Sequence, residues 1–188
     1  MNRQQFINLG CSCGVLSFFV PRKASGQNEN LEPPAKKHVP QEMNREQIIN
    51  ILKFIDASQS ESIKESIFSH LGYECFYSRN LDKWIKPYTE NVQAFLDRVN
   101  IEHKSTYWER LEFNADGTVL ELTGKKVEGC ACAFADCSEP PKSLCTYCCK
   151  NFQQEMFGTL LGKRVRVEIT KAFLLGDDRC NTVIFILG

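Results

Sequence analysis

Seven of the ten cysteines of this chain fall between Cys130 and Cys180, and six of those lie in one run, GCACAFADCSEPPKSLCTYCC. The run reads Cys130-x-Cys132-x4-Cys137-x7-Cys145-x2-Cys148-Cys149, and Cys180 follows as an outlier. Thiols at this density can serve as metal ligands, as nucleophiles or as halves of disulfides. The chemistry of the chain is therefore expected in its C-terminal half.

Cys145, Cys148 and Cys149 belong to the opening of a helix expected from Leu144 to about Leu161, with Ser143 as its cap and Gly162 as its stop. Steps of three and four put these thiols on one face with Phe152, Met156 and Leu160. A helix N-terminus carries partial positive charge, which favours thiolate, the form that ligates and attacks. Cys145-x2-Cys148 also lets one helical turn offer two sulfurs to a tetrahedral ion. The competing reading is that all three are small apolar core residues.

Cys130 and Cys132 form a loop pair able to chelate one ion from extended backbone. As disulfide halves they are more easily joined to distant cysteines than to each other. Cys75 and Cys137 have no partner at an informative spacing. Either could be a buried thiol, or the two could bridge the helical and sheet halves.

These residues need elements to hold them. From Glu42 to about Asn100 the pattern is helical: Ile48, Ile49, Leu52 and Ile55 mark one helix, and Ile63, Ile67, Phe68 and Leu71 mark a second that Gly72 ends. A third spans roughly Asp82 to Val99, with Pro87 near its start. Tyr107–Phe113 and Thr118–Leu122 read as strands around the turn Asn114 to Gly117. After the cysteine-bearing helix, Arg164–Leu174 and Thr182–Leu187 read as two more strands around Gly176-Asp177-Asp178. The fold class is α+β: N-terminal helices, then an antiparallel sheet of two hairpins with one cysteine-bearing helix between them.

The N-terminus reads as a targeting segment. A short apolar run from Leu9 to Val20 is followed by Pro21, Arg22, Lys23 and the small residues Ala24-Ser25-Gly26. The run is too short to span a membrane and suits a signal-peptide core with cleavage before Gln27. Asn2 to Asn8 resembles the twin-arginine export motif, with Gln4 in place of the second arginine. The expected division is a signal at 1–26, a Pro-containing tether at 27–41 and a single domain at 42–188. Export to the periplasm would leave eight cysteines in a compartment where disulfides persist, and no membrane span after cleavage. The composition is that of an ordinary globular chain: 43% hydrophobic residues, 24% charged residues and mean hydropathy −0.31. Zero formal net charge and the lack of a basic stripe argue against a nucleic-acid partner.

The C-terminal hairpin carries a family resemblance. Glu168-x-x-Lys171-x4-Gly176-Asp177-x-x-Cys180, preceded by Cys145 and a glycine-closed helix, resembles the closing motif of 4-vinyl reductase domains. That family shares its fold with a TRAPP transport subunit and with ligand-sensing domains of aromatic-responsive regulators. Some members bind zinc through an upstream Cys, a Glu, a middle Cys and a final Cys. The resemblance implies Cys145, Glu168 and Cys180 as zinc ligands here, with a small apolar ligand nearby. Lys171 stands where the middle cysteine should be and Thr182 where an aromatic is usual; Cys148, Cys132 or Cys130 could complete the set. Glu168 shares a strand face with Arg166 and Thr170, so an ion pair competes with ligation.

The same Gly-Asp-x-x-Cys ending also resembles a hydrolase group acting on an aminothiazoline carboxylate, in which a cysteine would be catalytic. Cys145 or Cys148 would then be the nucleophile, although His70 and His103 carry no signature tying them to a thiol. Three functions stay open: a zinc-holding, non-catalytic binding module, a thiol hydrolase or redox enzyme, and a disulfide-stapled structural domain.

Overall fold

The computed structural model describes residues 44–101, 108–126, 128–130 and 132–188. The export segment, the tether and His103 lie outside the described residues. Helix α1 is Arg45–Ser58. It opens on a reciprocal cap, in which the Asn44 side chain accepts the Gln47 N–H and the Gln47 side chain accepts the Asn44 N–H, each at 2.9 Å.

Helix α2 is Glu61–Tyr77 and runs straight through Gly72, which was expected to end it. Gly72 has a packing role instead: a Cβ there would stand 2.2 Å from the Cys148 carbonyl oxygen. The expected third helix is two. Helix α3 (Leu81–Ile85) gives way to a 3-10 turn at Lys86–Tyr88, and α4 (Val92–Asn100) starts afresh. Pro87 has no N–H to continue the α-helical ladder, and the Asn91 side chain accepts the Ala94 N–H to begin α4.

Strands β1 (Trp108–Phe113), β2 (Val119–Gly124), β3 (Val165–Lys171) and β4 (Asn181–Ile186) form one antiparallel sheet in the order β1-β2-β4-β3. The first hairpin closes at Asn114–Gly117, where Gly117 takes a left-handed φ of 72°. The second hairpin joins it edge to edge: Leu120 pairs with Ile184, and Ile184 with Val167, in one fully buried row across three strands. The fold is α+β, as the order of elements in the sequence implies.

Between the hairpins lies helix α5 (Lys150–Leu161), preceded by a π-helical segment, Leu144–Cys149. Met156, Phe157 and Leu160 of α5 pack with Phe76, Phe95 and the sheet in the main core. A second, smaller core joins Ile49 and Leu52 of α1, Phe68 of α2, Phe134, Leu144 and Cys148. This second core fixes the π-helical segment and, with it, Cys145, Cys148 and Cys149.

Candidate functional site: two groups of cysteines

The π-helical segment starts where Pro140 and Pro141 end an irregular loop. The two residues just before it are held from α1: the Asp56 carboxylate accepts from Lys142 N–H at 3.0 Å and from Ser143 N–H at 3.2 Å, while the segment's own first N–H, that of Leu144, donates to the Pro141 carbonyl at 3.2 Å. Ser143, the expected cap, is buried and makes no side-chain cap bond. A carboxylate distant in sequence instead anchors the residues that lead into the segment, and only folding brings it there.

In a π-helix the hydrogen bonds reach five residues back and the turn is wider than an α turn. Cys145 and Cys148, three apart, therefore no longer share a face as they would on an α-helix. Cys148 points into the second core, where Cys132 and Cys137 also pack. Cys137 Sγ donates to the Phe134 carbonyl at 3.7 Å. Cys145 is not part of that core and has Cys130 and Cys149 as its neighbours.

The Cys145 group has a definite centre. Its thiol is hydrogen-bonded to Cys130, and a backbone hydrogen bond reaches it from Leu174, in the turn between β3 and β4. Cys130 is also an electrostatic neighbour of Cys180 in the same hairpin. Cys180 Sγ accepts the Phe173 N–H at 3.4 Å. Its backbone lies against β2, where a Cβ at Gly124 would stand 2.3 Å from the Cys180 carbonyl oxygen. Of the six candidate ligands, Cys130 thus stands beside Cys145 and is a neighbour of Cys180, while Cys132 and Cys148 belong to the other group. Cys149 joins the first group, and the Gln153 Nε2 donates to its sulfur at 3.4 Å.

Glu168 reaches the same neighbourhood from β3. It lines a groove of about 330 Å³ with Cys145, Thr146, Lys150, Ile169 and Leu175. Its carboxylate is held by Arg166 on the same strand face, so the ion pair expected from the alternation is formed. Lys171, in place of the family's middle cysteine, is exposed at the end of β3 opposite Asn181. A larger depression of about 580 Å³, bordered by Glu109, Arg110, Glu112 and Arg179, is lined by none of the cysteines.

The electrostatics run against a poised nucleophile. The hydrogen bond to Cys130 first, then burial, then the proximity of Cys149 and Cys130 push the Cys145 thiol up from its ordinary pKa. Burial pushes Cys180 up as well, with Cys130 and Asp177 adding to it. The thiolate expected at Cys145 from a helix N-terminus is therefore disfavoured, because low-dielectric burial beside other thiols outweighs the helix dipole. His70 lies inside α2, 3.7 Å from Glu74 and stacked beside Tyr73. Asp177 serves its turn by accepting the Ala172 N–H at 2.8 Å.

No family model matches this chain, and no curated protein matches it. Solved structures do. One is the phenol-responsive sensory domain of the transcription activator PoxR with phenol, at TM-score 0.45 and 11% identity, covering 78% of this chain and 77% of that one. Another is trafficking protein particle complex subunit 3 from Naegleria fowleri, covalently bound to palmitic acid. It aligns at TM-score 0.34 and 14% identity, covering 77% of this chain and 83% of that one. Similarity this distant says nothing about what the cysteines do here.

The donor types suit zinc, which favours thiolates with an occasional carboxylate. Among the described residues, however, no three His, Cys, Asp or Glu side chains already stand in a metal-holding arrangement. The sequence reading missed Asp56, Thr146, Lys150 and Leu175 as parts of this site. Asp56 stands four residues after Leu52 and seven after Ile49, on the buried face of α1, so a carboxylate among apolar positions was the signal that could have found it; the other three matter only through the groove. Among the described residues no helix is long and apolar enough to cross a membrane.

Proposed function

We propose that this chain is a non-catalytic, exported binding module in which Cys130, Cys145 and Cys180 hold one zinc ion. The ion would tie the cysteine loop and the last hairpin to the π-helical segment. The observation that supports this reading is that Cys130 is hydrogen-bonded to Cys145 and also neighbours Cys180, which arrives from the last hairpin. Zinc would supply a structural cross-link there. Glu168 stands beside Cys145 in the groove and is the carboxylate within reach of the set once released from Arg166. The groove, with Val167, Ile169 and Leu175 in its lining and Lys150 and Glu168 also present, suits a small ligand with an apolar body and one polar end.

A second reading is favoured by one observation. The Cys130–Cys145 contact is also the starting point of a disulfide, which an oxidising compartment would form. Metal analysis and a thiol count on protein purified from its native compartment separate the two. The zinc reading expects one zinc per chain, lost in Cys130→Ser, Cys145→Ser and Cys180→Ser and retained in Cys148→Ser. Protein without metal and with Cys130 and Cys145 oxidised would replace zinc with the disulfide. The raised thiol pKa of Cys145 supports neither a hydrolase nor a redox enzyme, and slow alkylation of Cys145 and Cys180 is expected.

A further inference from the structure

Helix α2 is apolar on two opposite faces. Phe68, Gly72 and Phe76 are buried against the rest of the fold. On the opposite face Ile63, Ile67, Tyr73 and Tyr77 are 37–42% exposed, with the largely exposed His70 among them. An uncovered apolar stripe of this kind marks an interaction surface.

The spacing of the stripe says what would cover it. Counted from His70, the apolar residues stand at −7, −3, +3 and +7. A pattern that reads the same from either end is self-complementary when two copies of the helix pack antiparallel about a two-fold axis. Residue 70 + k of one copy then faces residue 70 − k of the other, as an isologous interface requires. Ile63 would meet Tyr77, Ile67 would meet Tyr73, and the two His70 rings would lie at the axis. From Ile63 to Tyr77 this contact runs roughly 21 Å along the helix.

The charges favour this direction over the parallel one. Glu74 is the acidic residue within the stripe, paired with His70 on its own helix. Antiparallel packing sets it opposite Ser66, which is exposed, small and neutral. Parallel packing would set Glu74 against Glu74. The rim is otherwise lined by Ser62, Ser66 and Ser69, which allow close helix approach, and the Lys64 ammonium is held by Glu61 at 2.9 Å. Tyr77 keeps its hydroxyl on Glu155 of its own chain, so its ring is oriented beforehand.

We infer that this protein forms a two-fold symmetric homodimer through α2, with Ile63, Ile67, Tyr73 and Tyr77 as its apolar seam and His70 at the axis.

The test is sedimentation equilibrium on the full chain under reducing conditions. Wild type is expected to be dimeric, and Ile67→Lys and Tyr73→Glu are each expected to weaken self-association roughly 30-fold or more. Because the register sets position 67 against position 73, an equimolar mixture of the two variants should recover the dimer. Should Ile67→Lys fail to fold, Ile63→Glu mixed with Tyr77→Lys carries the same test. A monomeric wild type overturns the proposal, as does a dimer that neither substitution weakens. Recovery on mixing Ile67→Lys with Ile67→Glu, without recovery with Tyr73→Glu, would mean parallel packing and would also overturn it.

Discussion

Gly72 and Cys148 touch backbone to backbone: a methyl group at Gly72 would lie 2.2 Å from the Cys148 carbonyl oxygen and 3.0 Å from the Phe152 nitrogen. No flexible side chain can yield there, so α2 and the π-helical segment can approach this closely only with glycine at position 72. Gly72→Ala would ordinarily gain about 1 kcal/mol of helix propensity. Here it is expected to destabilise the fold by roughly 2 kcal/mol net, the cost of forcing two packed backbones apart. Urea unfolding of the variant checks this, and a more stable variant would show that the two elements can slide.

Gly124 plays the same part for Cys180, whose carbonyl oxygen would lie 2.3 Å from a Cβ at that position. Gly124→Ala is expected to push the last hairpin away from β2 and Cys180 away from Cys130. Faster alkylation of Cys180 than in wild type, with Cys148 unchanged, is the expected reading from mass spectrometry. An unchanged rate at Cys180 would show that β2 does not position it.

Asp56 accepts the Lys142 and Ser143 N–H groups, just ahead of the π-helical segment, across 86 residues of sequence or more. Asp56→Ala leaves both donors without that acceptor, and a stability loss of roughly 1–2 kcal/mol is expected. Asp56→Asn keeps one acceptor oxygen and should recover part of the loss. Equal loss in both variants would mean that charge, not hydrogen bonding, is what Asp56 supplies.

The pH dependence follows from Cys145 and Cys180, whose thiols are both pushed up in the folded state. An unfolded cysteine ionises near about pH 8.5. Their stabilising contribution is therefore complete below that pH and is lost as pH rises toward the folded-state values. Tyr77, pushed up to about 12 by burial and by Glu155, adds a further loss at higher pH. Reduced, metal-free protein should unfold at lower urea concentration at about pH 9.5 than at about pH 7, and Cys145→Ala should flatten the difference. A midpoint that rises with pH would contradict both shifts.

Much of the fold was legible because it is local. Ile48, Ile49, Leu52 and Ile55 at helical spacing, the Asn114–Gly117 turn and the Gly162 stop all act over a few residues, and the α+β order follows from them. The misreadings share one cause. Gly72 looks like a helix stop and Ser143 like a cap when only neighbours in sequence are considered. Their roles were decided by Cys148 and Asp56, which arrive from elsewhere in the chain. Pro87 was visible as a break, but the sequence does not say that Asn91 restarts the helix after it.

The cysteines divide along the same line. By itself the sequence determined that the thiols crowd the C-terminal half; the meeting of Cys145, Cys148 and Cys180 that it suggests is not what the fold makes, because Cys148 packs in the second core. Which thiols meet was decided by tertiary structure. The π-helical turn at Leu144–Cys149 separates Cys148 from Cys145, sending the first into the α1–α2 core with Cys132 and Cys137 and the second toward Cys130. The physical reason is that the wider π-helical turn changes the angle between residues three apart, so Cys145 and Cys148 meet different neighbours. Residue spacing along the chain does not carry that information.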